Sequence, residues 1–320
     1  MTARVGVGLD IGGTKVLGAV VDVDGTILDE HRVPSPTGSW QGMLDAITTV
    51  VGALRTRHPE AETVGIGAAG MVDLDGMIHY APNVLGFRKT PVQADVATAT
   101  GLPTVVDNDA NVAAYAELRF GAARGLTDAI VITLGTGIGG GVLVGGQVLR
   151  GAHGFAAEVG HFQIDPNGPM CACGERGHWE AMASGNALGV MARDAATRGD
   201  LPSVLHAVDG DVESIRGQHV SAAARTGAAD AIALVDAYAF NVAIGLVGLA
   251  NIFDPAVVAI AGGLVNDGDL YLAPIKAHFL GHIEGHDYRP VPEIVPAQLG
   301  ERAGVIGAAA NALDRIPART

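Results

Sequence analysis

Apolar and polar positions along the chain switch between two periods, and the switches mark its elements. Val5 to Leu9 is an apolar run that closes on Asp10-Ile11-Gly12-Gly13-Thr14-Lys15, and a second apolar run, Val16 to Val23, follows at once. Asp24-Gly25 then leads into Thr26-Ile27-Leu28. Apolar runs joined by Gly and Asp-Gly turns predict an antiparallel meander. Helical spacing appears from Met43 to Leu54, where apolar residues recur on one face. Thr63 to Ala68 is a predicted strand closing on Ala69-Gly70, and Pro103 to Val106 another, with Asp107-Asn108-Asp109 as its turn. Ala110 to Phe120 is Ala-rich and predicts a helix, with Asn108 or Asp109 as its N-cap.

The opening order then recurs. Ala129 to Leu134 is a strand, Gly135 to Gly141 a glycine-rich turn, Val142 to Val144 a strand, and Gly145-Gly146 turns into Gln147-Val148-Leu149. This strand–turn–strand–turn–strand repeat predicts a weak internal duplication, an α/β chain of two related halves with a cleft between them. Later, Pro255 to Ala261 is a strand ending at Gly262-Gly263, and Ala303 to Leu313 is a small-residue helix expected to pack back on the first half. The division is expected near residues 118 to 128: an N-terminal domain of 1–120 plus 301–320, and a larger C-terminal domain of 121–300. No linker is visible, and Arg198 to Gly227 is poorly patterned.

Composition sharpens this picture. The 320 residues are 48% hydrophobic but only 4% aromatic, with 46 glycines, a profile of small-residue packing and tight turns rather than disorder. A net charge of −14 argues against nucleic acid or an anionic membrane as partner. The most apolar stretch, Ala231 to Phe253, carries Asp236, Asn241 and Asn251 and is expected as a buried helix, not a membrane span. Arg4, a short strand and Asp10 do not make a signal peptide, and with two cysteines in all the expected location is the reducing cytoplasm.

Several turns carry chemistry. Gly12 and Gly13 would let a phosphate approach the backbone, Thr14 adds a hydroxyl, Lys15 a cation, and Asp10 a carboxylate for Mg²⁺. An ordinary hairpin turn is the alternative. Gly135-Thr136-Gly137-Ile138-Gly139-Gly140 matches the dinucleotide fingerprint in letters, but a strand rather than a helix follows it, which rejects that reading. As partner of the first turn it would meet terminal phosphates. Gly262-Gly263 is either a third nucleotide-facing turn or a turn only. Asn108-Asp109, between strand and helix, is either an N-cap or the place of a general base.

The densest cluster lies between Glu158 and Glu180: Glu158-Val159-Gly160-His161, Cys171-Ala172-Cys173-Gly174, then Gly177-His178-Trp179-Glu180. Two cysteines one residue apart cannot bridge each other without severe strain. Two thiolates and two imidazoles suit a closed, structural tetrahedral Zn²⁺ with His161, Cys171, Cys173 and His178 as ligands; two buried free thiols beside unrelated histidines is the alternative. Such a knot would hold Glu158 and Glu180 rigidly.

Together these residues resemble the ROK family of sugar kinases and repressors, within the actin-like, ribonuclease-H-like ATPase superfamily. The resemblance spans nearly the whole chain and rests on Asp10 to Lys15, Asn108-Asp109-Ala110-Asn111, Leu134 to Gly141, Glu158 to His161 and Cys171 to Glu180. Ala81-Pro82-Asn83 and Asn108 to Ala122 are most similar to its ATP-dependent glucokinases. The resemblance implies transfer of phosphate from ATP, with Mg²⁺, to the 6-hydroxyl of glucose, with Asp109 as general base. It implies that Asn108, Glu158, His161 and Glu180 bind sugar hydroxyls and that Gly70 and Asn83 line the sugar pocket. It further implies that Gly12, Gly13, Thr14, Thr136 and Gly137 hold phosphates, that Gly262 and Gly263 border the nucleotide, and that the protein is a homodimer or homotetramer. N-acetylglucosamine, N-acetylmannosamine, fructose and allose are the alternative substrates; a non-catalytic actin-like or regulatory protein is the alternative class. One departure stands out: His178 occupies a position where the family's zinc motif usually has a third cysteine.

Overall fold

The structure, a computed structural model, describes residues 4–36, 38–81, 87–265 and 268–318. The chain forms two compact units. One comprises residues 1–131, 141–157 and 297–320, the other 132–140 and 158–296.

In the first unit, β1 (Val5–Ile11) pairs antiparallel with β2 (Lys15–Asp22), and β2 with β3 (Ile27–Pro34). Helix α1 (Trp40–Arg57) follows, capped by the Ser39 hydroxyl. β4 (Val64–Ala68) pairs parallel with β1. A small antiparallel sheet comes next, of β5 (Met71–Val72), β6 (Ile78–Tyr80) and β7 (Arg88–Thr90). Helix α2 (Val92–Thr100) leads to β8 (Thr104–Asn108), parallel to β4, and to α3 (Asp109–Phe120). The main sheet thus runs β3-β2-β1-β4-β8.

The two faces of this sheet differ in how closely they are covered. Val5, Val7, Leu9 and Ile66 share one core with Met43, Ile47, Val50 and Leu54 of α1, the apolar stripe that helical spacing predicts. On the other face lies the C-terminal helix, Ala303–Arg315. A Cβ on Gly8 would sit 1.9 Å from the carbonyl oxygen of Val305, and one on Gly65 1.8 Å from that of Ala308. Glycine in the strands and Gly/Ala in the helix therefore let backbone lie almost on backbone, which is where the low aromatic and high glycine content is used. The helix does pack back on the first half, as expected.

The second sheet follows the same plan. Its strands are β9 (Ala129–Leu134), β10 (Ile138–Val144), β11 (Gln147–Val148), β12 (Val257–Ala261) and β13 (Glu293–Pro296), in the order β11-β10-β9-β12-β13. In both sheets the first strand is central, the meander lies to one side and two later strands to the other. The internal duplication is real at the level of topology.

Two expectations need correction. Gly135 to Gly141 is not one long turn: β10 begins at Ile138, so Gly139 to Gly141 are strand residues. At Gly141 a Cβ would meet that of Ala114 at 2.3 Å, so glycine is there for close packing on α3. Asp107-Asn108-Asp109 is not a free turn either, because β8 runs to Asn108 and α3 starts at Asp109.

The second unit adds six helices among its described residues: α4 (Trp179–Ala183), α5 (Gly185–Arg198), α6 (Pro202–Ala207), α7 (Gly217–Arg225), α8 (Ala229–Phe253) and α9 (Asp269–His282). By length and composition α8 is long and apolar enough to cross a membrane. Here Val235, Tyr238, Val242, Leu246 and Leu249 are buried, and α8 packs against α4, α7 and α9. The Tyr238 hydroxyl donates to the Ala183 carbonyl at 2.7 Å and Asn241 Nδ2 to that of Met182 at 3.1 Å. One face of α8 is thus buried within the unit, while Ile232, Phe240 and Ile252 on the helix stay exposed.

Candidate active site

In the first unit, β1 and β2 deliver the Gly12–Lys15 turn. The Gly12 N–H donates to the Lys15 carbonyl at 3.1 Å, the Ser35 N–H donates to Thr14 O at 3.0 Å, and the Ser35 hydroxyl donates to Gly12 O at 2.6 Å. The carbonyls are thus tied back into the fold while Gly13 and Thr14 remain exposed. Lys15 belongs to β2 rather than to the turn, and its partly buried position keeps its cation next to the turn. Asp10, at the end of β1, lies against Gly304 in the first turn of the C-terminal helix. Burial, then the Asp109 carboxylate, push its pKa up to about 6, with Lys15 partly opposing. An acid whose charge is disfavoured in this way fits a site completed by a cation.

Asp109 opens α3. Its neighbour Asn108 is the N-cap, with Oδ1 accepting from the N–H groups of Ala110 at 2.9 Å and Asn111 at 3.2 Å. Asn108 Nδ2 donates to the carbonyl of Gly70 at 3.1 Å. Gly70 has φ 112° and a Cβ there would meet Tyr80 O at 2.3 Å, so only glycine can present that carbonyl. With capping assigned to Asn108, the Asp109 carboxyl is left for another task; it accepts from the adjacent Ala110 N–H at 2.8 Å and from its own backbone N–H. Burial raises its pKa above the ordinary aspartate value, the Ala110 hydrogen bond opposing. Both changes favour a proton acceptor. Asn83 lies outside the described residues.

Behind this corner sits a buried polar network with no obvious sequence signal. Asp107 Oδ1 accepts from the Asn108 N–H at 2.9 Å and from Asn111 Nδ2 at 3.0 Å. Its Oδ2 faces Arg150, Nε at 2.8 Å and a terminal nitrogen at 2.7 Å. Asn311 of the C-terminal helix completes the set.

In the second unit, a short 3₁₀ turn, Val159–His161, follows Glu158, whose carbonyl accepts from the His161 N–H at 3.0 Å. The preceding residue, Ala157, has φ 68°, a left-handed conformation that costs a non-glycine residue energy and is found preferentially at functional sites. The chain then makes a compact hairpin-like loop to α4. The Cys171 N–H donates to Glu175 O at 2.8 Å, Ile164 N–H to Gly177 O at 2.9 Å, and Trp179 N–H to Phe162 O at 3.0 Å.

Among the described residues His161, Cys171, Cys173 and His178 gather, each offering one ligand atom, all within 4.8 Å of one another. Cys173 Sγ is 3.2 Å from His178 Nδ1 and Cys171 Sγ 3.9 Å from His161 Nδ1. Burial first, and the neighbouring Cys173 and Glu180, push the Cys171 thiol up; a cation among these atoms would offset all three. Two sulfurs and two imidazole nitrogens suit Zn²⁺.

Glu180 lies at the first turn of α4. Its Oε2 accepts from the Ile138 N–H at 2.8 Å, and a Cβ on Gly137 would meet the same oxygen at 2.3 Å. The second glycine turn and the metal loop are therefore joined through this carboxylate. Thr136 is exposed at the tip of that turn. Gly262, at the end of β12, has φ 116° and touches Leu134 O, while a Cβ on Gly263 would meet nothing within 4 Å.

Trp179 was not singled out by its sequence context. It is fully buried, its Nε1 donates to Asn241 O at 3.0 Å, and its ring lies where a Cβ of Gly245 on α8 would be.

Comparison with known proteins agrees with this arrangement. The ROK family model matches residues 6–315. A glucokinase of Streptomyces coelicolor is 43% identical over 306 residues, which are 95% of this chain and 96% of that protein. A glucokinase of Thermotoga maritima is 34% identical, with 97% and 98% covered. Among solved structures, a ROK family glucokinase from Streptomyces griseus in complex with glucose and AMPPNP superposes with a TM-score of 0.84 at 42% identity, covering 97% of this chain and 99% of that one. From the match over nearly its whole length, this chain belongs to the ROK family and has its actin-like ATPase fold.

Proposed function

We infer that this protein is an ATP-dependent glucokinase, transferring the γ-phosphoryl group of ATP to the 6-hydroxyl of glucose. The single observation that carries the mechanism is Asp109: the first residue of α3, relieved of capping by Asn108, with a carboxyl made more basic by burial. In this reading Asp109 accepts the proton of the 6-hydroxyl as that oxygen bonds to the γ-phosphorus. The bond from phosphorus to the β–γ bridging oxygen breaks and ADP leaves.

Asn108, Glu158, His161 and Glu180 hold the sugar hydroxyls, with charge-assisted bonds to the carboxylates fixing its orientation. Gly70 positions Asn108 through its carbonyl. The backbone of Gly12, Gly13, Thr14, Thr136 and Gly137, together with Lys15, receives the phosphates, and Gly262 and Gly263 border the nucleotide. Mg²⁺ arriving with ATP, near Asp10, supplies positive charge for the phosphates. Zn²⁺ held by His161, Cys171, Cys173 and His178 supplies rigidity to the loop that carries Glu180. The enzyme works in the cytoplasm at the entry of glucose into glycolysis, as a homodimer or homotetramer; its two free cysteines, both in the metal cluster, fit a reducing compartment.

Asp109→Asn tests the central role. Turnover is expected to fall by about 10²- to 10⁴-fold while glucose still binds in calorimetry. Wild-type turnover in that variant would remove Asp109 from the role of base.

A further inference from the structure

We infer that Arg150, acting through the buried Asp107, is a positioning residue for Asp109 and Asn108; the inference rests on the reading of Asp109 as general base. The observations are all within the first unit. Asp107 is 5% exposed, and Asn111 and Asn311 are 2% and 3% exposed. A carboxylate so deeply placed needs a charged partner and several donors. Arg150 is that partner. It approaches Asp107 Oδ2 with Nε at 2.8 Å and a terminal nitrogen at 2.7 Å, spends its other terminal nitrogen on Val148 O at 3.3 Å, and meets Asn311 Oδ1 at 3.4 Å. Only the planar fork of arginine reaches these acceptors together.

The other oxygen of Asp107 is turned toward the site. Oδ1 accepts from the N–H of Asn108, the residue that caps α3, and from Asn111 Nδ2 in the first turn of that helix. The guanidinium therefore fixes the carboxylate, and the carboxylate holds the backbone N–H just before Asp109 and the side-chain amide of Asn111 just after it. Nothing in this set needs to touch substrate. Arg150 has a second connection: its carbonyl accepts from the Ala156 N–H at 3.1 Å, closing the turn from which the chain continues to Glu158. One residue thereby sets the base through its side chain and the start of the sugar-carboxylate segment through its backbone. Positional errors well below a bond length suffice to slow phosphoryl transfer, which is why such a clamp belongs behind the base.

The test compares Arg150→Met and Arg150→Lys, each alone and combined with Asp109→Asn, in the full-length enzyme. Both single variants are expected to lose kcat, by roughly 10-fold or more for Arg150→Met and less for Arg150→Lys, with KM for ATP unchanged. In the Asp109→Asn background neither should lower the residual kcat at saturating glucose further, because the base being positioned is gone, while any effect through Asn108 falls on KM for glucose. A purely structural role would instead lower the folded fraction and leave kcat per folded molecule intact. If Arg150→Met fails to fold, Arg150→Lys, which keeps the charge, gives the same readout. Wild-type kcat in folded Arg150→Lys and Arg150→Met, or losses that multiply with that of Asp109→Asn, would overturn the inference. Wild-type turnover in Asp109→Asn alone would overturn the base assignment instead, so the two failures are told apart.

Discussion

Asp10 and Asp109 show how a residue's surroundings, rather than its identity, set its chemistry. Asp10 moves from 3.8 to about 6 through burial and the nearby Asp109 carboxylate, so the folded protein holds this proton more tightly than the unfolded chain. The charge on Asp10 then opposes folding, beginning above the ordinary carboxylate range and complete above about pH 6. Asp10→Asn is expected to stabilise the nucleotide-free protein by about 1–3 kcal/mol at pH 8, with the gain fading as pH falls from about 6 toward the ordinary aspartate value. Thermal unfolding at pH 8 and pH 4 measures this, and the same variant should lose activity with Mg-ATP. Equal unfolding temperatures of the two proteins at pH 8 would contradict it. Asp109, also raised by burial, acts as a base only when deprotonated. The acid limb of kcat/KM should therefore lie above the pH of an ordinary aspartate.

At the scale of elements, the metal loop is the most self-contained part of the site. Its ligands come from a 3₁₀ turn, a short hairpin-like loop and the residue preceding α4. In the proposed Zn²⁺ site the thiolates would carry most of the affinity, with His178 as the proposed fourth ligand. Cys171→Ser should lose the metal, lower the unfolding temperature and raise KM for glucose, since Glu180 lies beside Cys171, 3.9 Å from its sulfur. His178→Cys should keep about one zinc per chain and most of the activity. Metal analysis of the purified variants checks both; folded, active wild-type enzyme without zinc would sink the metal assignment. The β1–β2 turn is an element of the other kind, in which the fold binds the carbonyls and leaves the tip at Gly13 and Thr14 exposed.

Over the whole molecule, the repeated strand order places a glycine turn at the corresponding position of each sheet. A helix of small residues covers the first sheet at backbone distance. In the second unit Trp179 does the opposite, using one large ring to join the metal loop to α8. Trp179→Ala removes a fully buried side chain and should cost about 3–5 kcal/mol, with zinc retention and glucose affinity falling together; denaturant unfolding and metal content measure the outcome. An unchanged midpoint would show that α8 does not anchor the loop.

What the sequence by itself determined was local in origin. The strands, the duplicated meander, the Gly12–Lys15 turn, the capped helix after Asn108 and the Cys/His cluster all follow from spacing over a few residues, where period and residue type carry the physics. Tertiary structure decided the rest. Asp107 meets Arg150 across 43 positions and Asn311 across 204, and Trp179 meets Asn241 across 62. No local pattern encodes such partners. Gly141 of β10 reads as part of a turn in the sequence because its reason for being small is Ala114 on α3, a neighbour that exists only after folding. Which residue caps, which is buried and paired, and which is left with a raised pKa is likewise settled by the backbone around Asp107 to Asp109, not by the three residues themselves.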